Sequence, residues 1–126
     1  MANLISYDDA SEEVRTVYDD IKRTRKIDQV SNFWMAIANH PPTLRRTWES
    51  LKEIMVDGAL EIRFKEMIYL AISINNGCEY CQVSHGVAAR KAGMTEEMFG
   101  ELMAVSYTHL RAHETDSYLV CRLLLE

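Results

Sequence analysis

Apolar residues in this chain recur at spacings of three and four and almost nowhere alternate, which commits it to helices rather than strands. Val14, Val17, Tyr18 and Ile21 form one stripe of a first helix, and Asp9 or Ser11 can cap it. Glu12 and Glu13 suit the positive end of that helix, and Lys22, Arg23, Arg25 and Lys26 suit the other. Ser31 can cap a short second helix, NFWMAIAN, which His40-Pro41-Pro42 ends, because a residue before proline is pushed out of the α region. Thr43 opens a third helix with Leu44, Trp48, Leu51 and Met55 on one face, and Gly58 is its expected left-handed stop. Phe33, Trp34 and Trp48 fit core packing at helical spacing better than an aromatic ligand box.

A fourth helix is predicted over about residues 60–74. Ile62, Phe64, Met67, Ile68, Leu70, Ala71, Ile72 and Ile74 make it apolar on most sides, so it is expected to be the central, most buried helix. Asn75-Asn76-Gly77 breaks it. A fifth helix follows from about residue 78 to a second glycine stop at Gly93, and Thr95 caps a sixth with Glu96 and Glu97 in its first turn.

A chain of 126 residues has the length of one domain and can bury a core without a staple. No apolar run is long enough to cross a membrane. The start, MANLISYDDASEE, has neither the basic nor the apolar region of a secretory leader, and a cytoplasmic location is expected. The net charge of −5 comes with no basic stripe, so nucleic acid is not an expected partner. Three cysteines are too few for a disulfide scaffold, and in a reducing compartment a C-x-x-C pair points to redox or metal chemistry.

The chemistry concentrates in FKEMIYLAISINNGCEYCQVSHGVAARKAGM, which holds Glu66, Cys78, Cys81 and His85. Cys78 and Cys81 are three apart at a helix start and share a face, within reach of a disulfide. His85 lies one turn past Cys81 on that face. A helix N-terminus and a C-x-x-C arrangement both lower a thiol pKa from about 8.5. His85 can take the Cys81 proton, so Cys81 is the better attacking thiol. Cys78, nearer the loop, is the natural resolving partner. A thiolate attacks a peroxide oxygen, and the sulfenic acid so formed condenses with a neighbouring thiol. If the fourth and fifth helices pack antiparallel, Glu66 returns beside the cysteines and can relay a proton. Otherwise it is a solvated charge next to Arg63 and Lys65. Two further readings of the pair stand: small buried residues without chemistry, or a zinc site built on Cys78, Cys81 and His85 with a fourth ligand.

Glu66, eleven residues, Cys78-x-x-Cys81-x-x-x-His85, then an alanine-rich helix and Gly93-Met94-Thr95 together resemble the AhpD-like alkylhydroperoxidase branch of the carboxymuconolactone decarboxylase family. The resemblance covers about residues 5–104 and includes ANHP at 38–41 and the pair Arg63 and Glu66. It implies an all-α fold of about six helices, assembly into homo-oligomers (trimers or hexamers) and reduction of alkyl or hydrogen peroxides. It implies that Cys81 is peroxidatic and Cys78 resolving, with Glu66 and His85 as proton relay. A thiol or protein reductant then reopens the disulfide, and no cofactor is needed beyond the cysteine pair. Well-known members carry histidine where this chain has Tyr80, a phenol that donates a hydrogen bond but is a poor base at neutral pH. Tyr80 is therefore a supporting residue.

The tail, VSYTHLRAHETDSYLVCRLLLE over residues 105–126, does not resemble the family's continuation. It reads as a translated sequencing-adapter segment foreign to a domain at 1–104, which would then lack part of the usual C-terminal helices. His109 and His113 with Glu114 have metal-binding spacing by chance, and Cys121 is read as non-catalytic. The alternatives to a peroxidase are a non-peroxidase, carboxymuconolactone decarboxylase-like enzyme and a zinc-binding or helical interaction module.

Overall fold

A computed structural model describes residues 3–115, with side chains through 108. Six helices and no strand occur among the described residues. The chain divides into two compact units, Met1–Met55 and Val56–Glu126.

The first unit holds α1 (Glu12–Arg25), α2 (Asn32–Ile37) and α3 (Pro41–Ile54). Ser11, not Asp9, caps α1: its side chain accepts from the Val14 N–H. Lys26 in the left-handed region, φ 55°, ends the helix. The expected stripe of Val14, Val17, Tyr18 and Ile21 is buried, and with Ala10, Trp34, Ala38, Leu44 and Trp48 it forms the core of the unit. Trp34 and Trp48 meet edge to face at 5.6 Å. Phe33 lies against Trp34 at 5.1 Å but is 45% exposed, so it is not a core residue. The Trp48 indole donates to Asp20 Oδ2 at 2.7 Å, and Lys52 Nζ donates to the same oxygen at 2.8 Å. These bonds, Lys52 first, hold the Asp20 carboxyl below the usual carboxylate range.

Three local expectations need correction. Ser31 sits before α2 but makes no capping bond. The third helix starts at Pro41, not Thr43, and His40 caps it by accepting the Thr43 N–H on Nδ1 at 3.3 Å. Proline suits the first helical position, where its missing N–H costs nothing. The same helix stops at Ile54 with Met55 at its end, so Gly58, which has no positive φ, is not its stop.

The second unit holds α4 (Ile62–Asn75), α5 (Glu79–Lys91) and α6 (Glu96–Thr115). Asp57 Oδ1 accepts the Ile62 N–H at 2.8 Å, which starts α4 two residues later than expected. Two glycine stops of one design separate the helices. After α4, Gly77 adopts φ 65°, the Cys78 N–H reaches Ser73 O and the Gly77 N–H reaches Ile74 O. After α5, Gly93 adopts φ 102°, the Met94 N–H reaches Ala89 O and the Gly93 N–H reaches Arg90 O. Thr95 Oγ1 then caps α6 by accepting the Met98 N–H at 3.1 Å. Arg90 forks onto Glu96 at 2.7 and 3.3 Å and ties the end of α5 to the start of α6.

Leu70, Ala89 and Met94 are the buried centre of this unit, with Met67, Ile74, Met98, Phe99 and Leu102 packed around them. The expectation of α4 as the most buried helix is overturned. Phe64, Ile68 and Ile72, at successive turns of one face, are 38, 48 and 51% exposed, and only Leu70 and Ser73 are buried. The metal-binding possibility at His109, His113 and Glu114 concerns side chains outside the described ones, and Cys121 lies outside the described residues. Among the described residues no helix is long and apolar enough to cross a membrane.

Candidate active site

The turn at Asn75-Asn76-Gly77 sends α5 back along α4, so the two helices run antiparallel. Residues 73 and 82 meet near the turn and residues 66 and 85 meet further along. Cys78 is the N-cap of α5, and its Sγ accepts the Cys81 N–H at 3.3 Å. Cys78 and Cys81 are joined as a disulfide, with Cα atoms 5.3 Å apart. Both are half-buried, so the bond is within reach of solvent.

One turn along α5, His85 Nδ1 lies 2.8 Å from Glu66 Oε2. Glu66 is largely enclosed, its side chain 15% exposed, against 28% for His85. It is thus not a solvated charge, and its neighbour Arg63 pairs with Glu61 instead. An ionised carboxylate only accepts hydrogen bonds. With Glu66 ionised, Nδ1 is therefore the donor of this bond, and in the neutral ring Nε2 keeps a free lone pair. Such a ring can take a proton on Nε2 and hand it on, while the carboxylate balances the charge. Among the described residues no hydrogen bond joins His85 to either sulfur in this oxidised form.

Tyr80, between the cysteines, is 52% exposed, and its hydroxyl makes no hydrogen bond among the described residues. Two residues that sequence reasoning passes over belong to the site. The Tyr69 ring stacks on His85, centroids 4.5 Å apart and planes 6° from parallel. Ser73, the buried polar residue of α4, donates through Oγ to Tyr69 O at 2.6 Å, and its carbonyl accepts from the Cys78 N–H and from Gln82 Nε2. A signal for both exists: Glu66, Tyr69 and Ser73 follow i, i+3, i+7 on an otherwise apolar helix and so share one face.

Among the described residues no group of three or more His, Cys, Asp or Glu side chains is arranged to hold a metal. A cavity of about 250 Å³ in the first unit is lined by Tyr7, Tyr18, Lys22, Asp28 and Met35 among others, and includes none of the cysteine-site residues.

Residues 42–111 match the carboxymuconolactone decarboxylase (CMD) family. The crystal structure of the alkylhydroperoxidase AhpD core from Rhodospirillum rubrum ATCC 11170 is similar to the chain at a TM-score of 0.77 and 44% sequence identity. That match covers 85% of this chain and 79% of the other. Among curated proteins, none matches the sequence.

Proposed function

The chain belongs to the carboxymuconolactone decarboxylase family and has the AhpD-like all-α fold, and on that premise we propose that it is a thiol-dependent peroxidase. The observation that carries this reading is the Cys78–Cys81 disulfide at the start of α5, one turn from the paired Glu66 and His85. The R. rubrum AhpD core, an alkylhydroperoxidase, supports it.

In the reduced protein His85 takes the proton of the Cys81 thiol. The thiolate attacks one peroxide oxygen; the O–O bond breaks as an S–O bond forms. The departing alkoxide takes the proton from His85 and leaves as an alcohol, or as water from hydrogen peroxide. Cys81 is now a sulfenic acid. The Cys78 thiol attacks its sulfur, the S–S bond forms and water leaves. Two electrons have passed from the dithiol to the peroxide. A thiol or protein reductant returns them by exchange through a mixed disulfide. Glu66 holds the charge that His85 gains, and exposed Tyr80 plays a supporting part at most. Such a cycle needs no cofactor and suits the cytoplasm, where reducing thiols are plentiful.

A homo-oligomer belongs to the same reading. The apolar row Phe64, Ile68 and Ile72 on α4, with Val83 and Val87 on α5, is surface that a second copy can cover. A non-peroxidase activity of the wider family is the other reading, and the disulfide weighs against it.

The cysteine variants test the roles. Cys81→Ser abolishes peroxide turnover, whereas Cys78→Ser permits one oxidation per subunit, seen as a trapped sulfenic acid by mass spectrometry. Full turnover by Cys81→Ser, or by the double Cys→Ser protein, would overturn the assignment.

A further inference from the structure

His85 is held by two contacts of different kind. The Glu66 bond at 2.8 Å anchors Nδ1 but leaves the ring free to swivel about the Nδ1···Oε2 line. The Tyr69 ring, 4.5 Å away and 6° from parallel, lies flat on the imidazole and removes that freedom. Together they fix both the position of the ring and the bearing of Nε2. Tyr69 is itself well placed to hold a plane. Its carbonyl accepts from the Ser73 hydroxyl at 2.6 Å, and the Ser73 carbonyl in turn accepts from the Cys78 N–H at 3.0 Å and Gln82 Nε2 at 3.5 Å. The stretch of α4 that carries the aromatic platform is thus tied to the backbone of one cysteine and to the residue following the other.

We propose that Tyr69 is a positioning residue: its ring face sets the plane of His85 and keeps Nε2 on the bearing from which it serves Cys81. The face acts and not the hydroxyl, because the contact is ring on ring. This rests on the proton-relay reading of the site but not on the substrate being a peroxide.

Alkylation of the reduced protein by iodoacetamide separates the two. The thiolate sulfur forms a bond to carbon and iodide leaves, so the rate follows thiolate supply without any peroxide. The measurement uses the Cys78→Ser chain over pH 6–9, with the Cys81 peptide followed by mass spectrometry. Tyr69→Leu is expected to slow alkylation of Cys81 at pH 7 by about threefold to tenfold, the size of a lost aromatic pair. The deficit fades towards pH 9, where a thiol with pKa of about 8.5 ionises without help. Tyr69→Phe restores the rate at every pH. In a His85→Ala background Tyr69→Leu adds nothing further. A Tyr69→Leu deficit equal at pH 7 and pH 9 would mean a structural role only. No deficit, an equal deficit in Tyr69→Phe, or an undiminished one without His85 would each overturn the proposal. A protein that alkylates as expected but ignores peroxide would remove the peroxidase reading and leave the role of Tyr69 standing.

Discussion

Replacing Glu66 with Gln changes one charge in the site and little else. The side chain keeps its length and an oxygen for His85 Nδ1, now 2.8 Å from Glu66 Oε2. What is lost is the negative charge beside a ring that, in the proposed relay, becomes positive on taking the Cys81 proton. Two unit charges about 4 Å apart at an effective dielectric of about 20 interact by about 4 kcal/mol. That is an upper bound, because the side chains are 28 and 15% exposed and water screens the pair. A hydrogen bond to a charged group contributes about 1.5–3 kcal/mol and a neutral one about 0.5–1.5. The difference, about 1–1.5 kcal/mol, is close to a factor of ten in rate. Stopped-flow loss of thiols after adding peroxide to the reduced protein at pH 7 is the assay. Glu66→Gln should oxidise about tenfold more slowly and still reach the same Cys78–Cys81 disulfide. A rate within twofold of the parent, in a variant with unchanged circular dichroism, would refute the charge-balancing role of Glu66.

Asp20→Ala strips the shared acceptor from Trp48 and Lys52 and should cost about 1–3 kcal/mol, read from chemical denaturation. The folded Asp20 pKa is lowered, chiefly by Lys52 and then Trp48. Its contribution is therefore complete above the unfolded value of about 3.9 and is lost as pH falls through the lower folded value. Thermal melts below about pH 4 should show the parent losing its advantage over Asp20→Ala; a gap that persists undiminished at pH 2 contradicts this. Gly77→Ala meets no atom within 4 Å at φ +65°, so its cost is backbone alone. Left-handed strain of about 1–2 kcal/mol, less about 0.4–1 from a stiffer unfolded chain, leaves about 1 kcal/mol. Gly77→Asn should cost less. On the proposed homo-oligomer, Ile68→Glu on the exposed apolar row should lower the mass seen in sedimentation; an unchanged mass places the contact elsewhere, and a parent chain of monomer mass removes that proposal.

The helices were readable because burial imposes a period. Val14, Val17, Tyr18 and Ile21 sit three and four apart and line the first core. The breaks at Gly77 and Gly93 were readable because the turns there need a positive φ, which glycine adopts without strain. The start of α3 was not, since a histidine ring nitrogen does there what Ser, Thr, Asp or Asn usually do. Nor was the exposure of α4. An apolar face looks the same in sequence whether it meets its own core or a second molecule, and Ile68 and Ile72 turned outward. The local half of the site, Cys78, Cys81 and His85, follows from helical spacing. The Glu66 contact spans 19 positions and depends on the hairpin closing. Tyr69 by itself carries no such signal, because an aromatic on an apolar helix is the ordinary appearance of a core residue.

The central claim is that Cys78 and Cys81 exchange two electrons with a peroxide. The direct measurement is a titration of free thiols in the reduced protein, with and without hydrogen peroxide or an organic hydroperoxide, followed by mapping of the bonds by mass spectrometry. The account predicts rapid loss of two of the three thiols and a Cys78–Cys81 bond, with Cys121 left free. Slow and unselective oxidation of all three, or no oxidation at all, would contradict it.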